Sequence, residues 1–534
     1  MTKGMWGWAL CFVLPLWAQT GFYLVYFEEK PDSLLLHPEK SLSPWALERR
    51  FLQGIPIDKA DVSAPPAWID SLRCYGTFWG YSRWLNAALM ELPNSARLPR
   101  WSFVRCMEPL TWRARRGRSS LASFRLVQAP GKAASVVNAL QLDQLKLSTL
   151  HAMGYTGRGI RVAIFDAGFP NMNQIPAFQA LFQEGRYLGG YDFVAGDSSV
   201  FEDNSHGTQV ASVIVAHDPE GIGFVGGAPG VSVLLARTEN ALSESRLEEW
   251  NWARAAEWAD SMGAHIIQSS LGYSTFDDPA ENYTYADMNG RTAITTQAAL
   301  TAARKGLLVV NSAGNEGASP WRYITAPADA DSILAVGAIG PSGQIAPFSS
   351  RGPTSDGRIK PEVVALGWGT YVVSPSGQVQ QASGTSFSAP LLTSLAACLW
   401  QAHPHASAQA LRQAILAASD RFSQPDTVYG YGLPDGEKAL QRLTSLAPAS
   451  QTPLELRLYP NPAWATISVF LPDTTLGWYE LTLTDTEGRE VLSRPYRGFT
   501  QLSLPVDFLR PGLYWVHLRA LSGSGNFTQA FIKL

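Results

Sequence analysis

This 534-residue chain has few cysteines, little charge and no long hydrophobic run beyond its first eighteen residues. The four cysteines are Cys11, Cys74, Cys106 and Cys398, and with the histidines they form no cluster of metal-ligand spacing. Cys398 lies in an apolar helical stretch, where a buried free thiol is the default. Cys74 and Cys106 leave one pairing open within the N-terminal part. Charged residues make up only 16%, with 42 basic and 45 acidic side chains and a net charge of −3. That balance gives no electrostatic case for nucleic acid or an anionic membrane. After residue 18 no segment is long and apolar enough to span a bilayer.

What is present is a folding composition, 46% hydrophobic, with 18 Trp, 35 Pro and 46 Gly. The length calls for about three modules. Lys3 and the apolar run Met5 to Ala18 read as a signal peptide, residues 1–18. Residues 19–138 carry mixed α+β signals. Phe22 to Phe27 is a strand by composition, and Ser43-Pro44 opens a helix, with Ser43 as cap and Pro44 at the first position. The basic run Arg113 to Arg118 reads as an exposed, protease-sensitive linker.

From 139 to 443, strand and helix patterns alternate, as in a parallel sheet covered on both faces. Expected strands are Arg161–Phe165, Val231–Ala236, His265–Gln268, Gly306–Val310 and Ile333–Val336, with a helix over 243–262. Polar groups beyond the C-terminal ends of such strands fall in the crevice where α/β proteins bind ligands. Asp166 ends one strand. His206 sits in a turn opening an apolar helix, and Asn315 follows the strand ending at Val310. Ser386, in Gly384-Thr385-Ser386, enters the first turn of another apolar helix. There backbone N–H groups lack intrahelical partners and face a developing anion.

The motifs Asp166-Ala167-Gly168, His206-Gly207-Thr208, Ser312-Ala313-Gly314-Asn315 and Gly384-Thr385-Ser386 with Pro390 resemble those of the subtilisin-like serine proteases, the subtilases. The resemblance spans the whole central module. It implies a three-layer parallel sheet with helices on both faces, and peptide-bond hydrolysis by a Ser386–His206–Asp166 triad with Asn315 in the oxyanion hole. It also implies substrate contacts at Ser270, Leu271 and Gly272, and an N-terminal propeptide that acts as intramolecular inhibitor of a zymogen. Here Glu239, Glu244, Glu248 and Glu249 replace a small, Gly-rich wall segment. The last three read as a solvated helix face, while Glu239 is placed to bias specificity. The chemistry requires no cofactor. Structural calcium has candidate carboxylates in Asp277-Asp278 and Asp329/Asp331, but no loop has a calcium-ligand pattern, so solvated turns are the expectation.

Residues 444–453 include a Pro/Ala/Ser linker. Residues 454–534 alternate as short strands, as in an antiparallel β-sandwich. Tyr459-Pro460-Asn461-Pro462-Ala463, Leu509 to Tyr514 and the final Phe531 to Leu534 resemble the sorting domain of the Bacteroidetes type IX secretion system. That resemblance implies the type IX machinery as a partner and a destination outside the cell or on the outer surface of a Gram-negative bacterium. A competing reading is a surface adhesin that acts through this sandwich beside a silent protease fold. An α/β-hydrolase esterase is excluded, because its order is Ser, Asp, His.

Overall fold

Successive residues along the central strands serve two different cores, and this alternation builds the molecule. The computed structural model describes residues 20–36, 38–93, 98–110, 124–125, 136–446, 456–459, 461, 463–470, 478–497, 501–520 and 526–533. The signal-peptide stretch, the basic run Arg113–Arg118 and the linker stretch 447–453 lie outside these. The chain forms two units, residues 1–444 and 445–534.

In the first unit, an N-terminal four-stranded sheet comprises β1 (Thr20–Phe27), β2 (Thr77–Ser82), β3 (Ala87–Pro93) and β4 (Val104–Leu110), ordered β2-β3-β1-β4. Helices α1 (Pro44–Leu52) and α2 (Pro66–Arg73) accompany it. The central sheet has seven parallel strands: β5 (Arg161–Asp166), β6 (Tyr187–Asp192), β7 (Ser232–Arg237), β8 (Ile266–Ser269), β9 (Leu308–Ser312), β10 (Leu334–Ile339) and β11 (Val363–Leu366). Their order is β11-β10-β9-β8-β5-β7-β6. Val162, Ile164, Val233 and Leu235 join the core under helices α3 (His206–Val215) and α6 (Thr385–Ala402). Their neighbours Ala163, Phe165, Leu234 and Ala236 join the core under α4 (Arg246–Ser261) and α5 (Ile294–Arg304). Successive side chains of a strand point to opposite faces, so one β run fills both layers.

All five expected strands are present. The one expected from Gly306 begins at Leu308, because Gly306 ends the preceding helix with φ +82°. The edge strand β6 (YLGGYD) carries too little apolar sequence to announce itself, and β11 (VVAL), though wholly apolar, is only four residues long. Among the acidic residues expected on a solvated face, Glu248 and Glu249 are buried at 2% and 0% exposure. Glu248 turns back to accept from Ser245 N–H as the return half of a capping box, and Glu249 accepts from Tyr283 Oη. Cys74 and Cys106 are free and exposed, not paired, and Cys398 is free and buried. Cys74 follows α2 and leads to β2, while Cys106 lies on β4 at the opposite edge of the sheet.

The N-terminal sheet lays Phe22, Leu24, Leu89 and Leu110 into the core shared with α4 and α5. Each such burial contributes about 1.5–3 kcal/mol. Polar anchors surround that contact. Arg49 and Arg50 both pair with Asp260 on α4, the latter at 2.7 Å, and Arg50 also meets Asp61 at 2.5 Å. Lys305 pairs with Asp61 at 2.8 Å and Asp58 at 2.7 Å, and Arg83 with Glu257 at 3.4 Å.

The second unit holds a three-stranded sheet, Arg457–Tyr459, Thr466–Phe470 and Gln501–Pro505, and a four-stranded antiparallel one. Ile467, Leu481, Val516 and Phe531 are among the residues of its core. No helix among the described residues is long and apolar enough to cross a membrane.

Asp260→Ala would leave two buried guanidinium groups without their shared anion. We expect a loss of about 3 kcal/mol or more in denaturant unfolding of the full chain. A loss below 0.5 kcal/mol, on the order of an ordinary surface change, would show that the anchor carries no stability.

Candidate active site

Asp166 is the last residue of β5, at the C-terminal edge of the sheet beside the point where strand order reverses, and it is fully buried. A carboxylate there needs donors. Ala167 N–H supplies one at 2.8 Å, and both carboxylate oxygens accept from His206 Nδ1 at 2.8 and 2.9 Å. His206 opens α3, its backbone N–H held by Asn204 Oδ1 at 2.9 Å. The approach is close enough that a Cβ on Gly207 would lie 2.3 Å from Gly168 O and 2.9 Å from Asp166 Cβ. Only glycine fits there.

Ser386 is the second residue of α6, and its N–H has no intrahelical acceptor. Pro390 in the same helix has no N–H to give to the carbonyl four residues back, which is that of Ser386. Ser270 Oγ fills the vacancy, donating to Ser386 O at 2.8 Å. Gln268 Nε2 donates to Ser270 Oγ at 3.0 Å, and Gln268 Oε1 accepts from Thr393 Oγ1 on the same helix. Ser386 Oγ donates weakly to Ser270 O at 3.4 Å, and no hydrogen bond among the described residues joins it to His206. His206 does pack against Phe387, ring centroids 5.7 Å apart.

Asn315 is held by one end. Its Oδ1 accepts from Thr385 N–H at 2.9 Å and Thr385 Oγ1 at 3.0 Å, which leaves its Nδ2 donors free beside the start of α6. Asp166, His206, Asn315 and Ser386 line one cavity of about 370 Å³ together with Ser270, Leu271 and Gly272. A Cβ on Gly272 would lie 2.1 Å from Thr325 Oγ1, so this wall is backbone by necessity. The short strand Phe124–Arg125 pairs antiparallel with Gln381–Ala382, in the strand that leads through Gly384 to Ser386. Of the site residues expected from sequence, all seven come together. The roles of Thr385 in holding Asn315 and of the Gln268–Ser270 pair in holding Ser386 were missed. Pro390, four residues after Ser386, was the available signal for the second.

Burial alone would lower the His206 pKa, but the Asp166 carboxylate and its hydrogen bonds outweigh it and raise the pKa. On the far wall, burial and then neighbouring carboxylates push Glu248 up to about 10 and hold Glu244 well above the usual range. Burial likewise takes Glu239 to about 7, with Asp166 and Glu249 adding to it against hydroxyl hydrogen bonds from Tyr273 and Thr238. The carboxylates considered for calcium have other partners. Asp278 caps the turn at Ala280, Asp331 accepts from Ser332 N–H, and Asp329 accepts from Gly290 N–H and Thr296 Oγ1. Asp329 is fully buried and is no solvated turn.

Three family models match the chain. The subtilase family model (Peptidase_S8) matches residues 157–432, just over half the chain. The peptidase S8 propeptide domain of Bacteroidota matches residues 22–120, and the secretion system C-terminal sorting domain matches 457–533. The chain is 30% identical over 298 residues to subtilisin DY of Bacillus licheniformis, covering 56% of this chain and 96% of that protein. It is 30% identical over 307 residues to subtilisin E of Bacillus subtilis (strain 168), covering 56% and 70%. Among solved structures, MycP1 with its N-terminal propeptide removed aligns at a TM-score of 0.46 and 26% identity, over 56% of this chain and 96% of that one.

With its folded pKa raised above 6.5, the His206–Asp166 pair contributes stability that is full below 6.5 and lost as pH rises through the raised value. An NMR titration of the His206 ring should therefore give a midpoint above 6.5 in the wild type, falling below it in Asp166→Asn, where burial acts alone. The same midpoint in both proteins would rule out Asp166 as the cause.

Proposed function

Because the chain belongs to the subtilase family and is a serine endopeptidase, we propose that Ser386, His206 and Asp166 carry out its peptide hydrolysis and that Asn315 completes the oxyanion hole. The observation that carries this reading is the double hold of Asp166 on His206 Nδ1, which leaves Nε2 as the basic nitrogen in the cavity that Ser386 lines. His206 Nε2 removes the Ser386 Oγ proton as that oxygen attacks the peptide carbonyl. Asp166 stabilises the resulting imidazolium without taking its proton. The carbonyl oxygen becomes an anion that the Ser386 N–H and the free Asn315 Nδ2 donors receive. His206 then protonates the leaving amine, and water repeats the cycle on the acyl-enzyme. Every group in these steps belongs to the protein, so the chemistry calls for no metal or cofactor.

Ser386 Oγ lies within reach of Ser270 O rather than His206, a loose arrangement that tightens when substrate fills the cavity. Ser270, Leu271 and Gly272 bind the substrate backbone. The N-terminal module is the chain's own inhibitor: it docks on α4 and α5, and Phe124–Arg125 runs on beside the approach to Ser386. The C-terminal sorting domain directs the protein to the outside or surface of a Bacteroidota cell.

The purified full chain and Ser386→Ala are compared by intact mass and casein hydrolysis. The wild type is expected to shed its N-terminal module and cleave casein, with a rate that rises with pH through a His206 pKa above 6.5. The variant does neither. Casein hydrolysis that survives in Ser386→Ala would remove Ser386 from the chemistry.

A further inference from the structure

The cavity that holds Ser386 is one-sided in charge. Asp166, Glu239, Glu244, Glu248, Asp277 and Glu316 line it, with no lysine or arginine among the described residues. Carboxylate oxygens of Glu239, Glu244 and Glu248 lie within 4.8 Å of one another. A buried carboxylate without a counter-charge is costly, and three gathered this closely more so. Arg246, the single basic residue between 239 and 249, pairs with Glu249 at 3.0 Å and donates to Tyr283 Oη at 2.7 Å. Glu239 receives hydroxyl donors from Thr238 and Tyr273, and Glu248 receives N–H groups from Asn240 and Ser245. Glu244 receives no donor on its carboxylate among the described residues. Ser274, only 8% exposed, lines the same cavity, and its hydroxyl likewise has no hydrogen-bond partner among the described residues.

The cavity is already a substrate cavity; the acids add a missing cation. We propose that this wall takes the side chain of a lysine or arginine close to the scissile bond, so that the enzyme prefers basic polypeptide segments. The assignment rests on the protease reading above. An ammonium or guanidinium group placed among the three carboxylates displaces the protons that burial and repulsion hold there, and converts repulsion into charge-assisted hydrogen bonds. Glu244 supplies the free acceptor.

The test uses the full chain, purified after export, with casein and with fluorogenic peptides varied one position at a time on both sides of the cleaved bond. Lysine or arginine should exceed alanine at one position by about tenfold or more in kcat/KM, mainly through KM. Glu244→Gln breaks no hydrogen bond of its carboxylate in the structure and keeps its shape. It should cut the basic-to-alanine ratio at that position about tenfold, and Glu239→Gln should cut it in the same direction. The ratio cancels any general loss of active enzyme. Casein cleavage with no basic preference at any position overturns the inference and leaves the protease reading intact. So does a preference unchanged in both variants, or calorimetry showing that calcium binds the wild type but not Glu244→Gln and abolishes the preference. No casein cleavage by the wild type overturns both readings.

Discussion

A buried carboxylate at the end of the first central strand sets the terms for this protein. Asp166 has no access to water, so the fold must bring donors to it, and a turn N–H and one imidazole nitrogen do so. That demand fixes where α3 begins, which residue opens it and why glycine follows. A second demand comes from Pro390, which strips the nucleophile's carbonyl of its helical donor and draws the β8 edge toward α6 through Ser270. Two polar groups that cannot be left bare thus bring three elements, far apart in sequence, to a common point.

Helix α4 joins the two halves of the functional design. Its C-terminal half carries Glu257 and Asp260, which receive the arginines of the N-terminal module. Its N-terminal turn carries Glu248, folded back as a cap, in the wall of the cleft. The module that covers the enzyme and the wall that shapes its cleft therefore share one rigid element, and packing from Trp250 through Ala259 keeps them in register.

Much of this was legible in the residues. The four short motifs predicted a shared site because strand-end and helix-start positions gather at one edge of a parallel sheet, whatever lies between them. The apolar strands β5, β8 and β9 were visible for the same reason that they are buried. Glu248 and Glu249 were misread, since helical spacing and charge say nothing about a hydroxyl such as Tyr283 Oη arriving from 34 residues away. The open pairing of Cys74 and Cys106 met the same limit, because strand order, which puts them at opposite edges, is not written in spacing. Glycine-containing β6 stays silent because an edge strand with half-covered residues needs no apolar run.

Around its apolar centre, the seam between the N-terminal module and the helices it covers is rimmed by full charges: Arg49, Arg50, Arg83 and Lys305 against Asp58, Asp61, Glu257 and Asp260. Ion pairs withdrawn from water recover less than a greasy surface of the same size, since each ion gives up its hydration to enter. Their compensation comes on parting, when water takes both halves back. A seam of this kind closes in one register only: the apolar centre of Phe22, Leu24, Leu89 and Leu110 holds the module on, while the charged rim, taken back by water on parting, lowers the cost of its leaving.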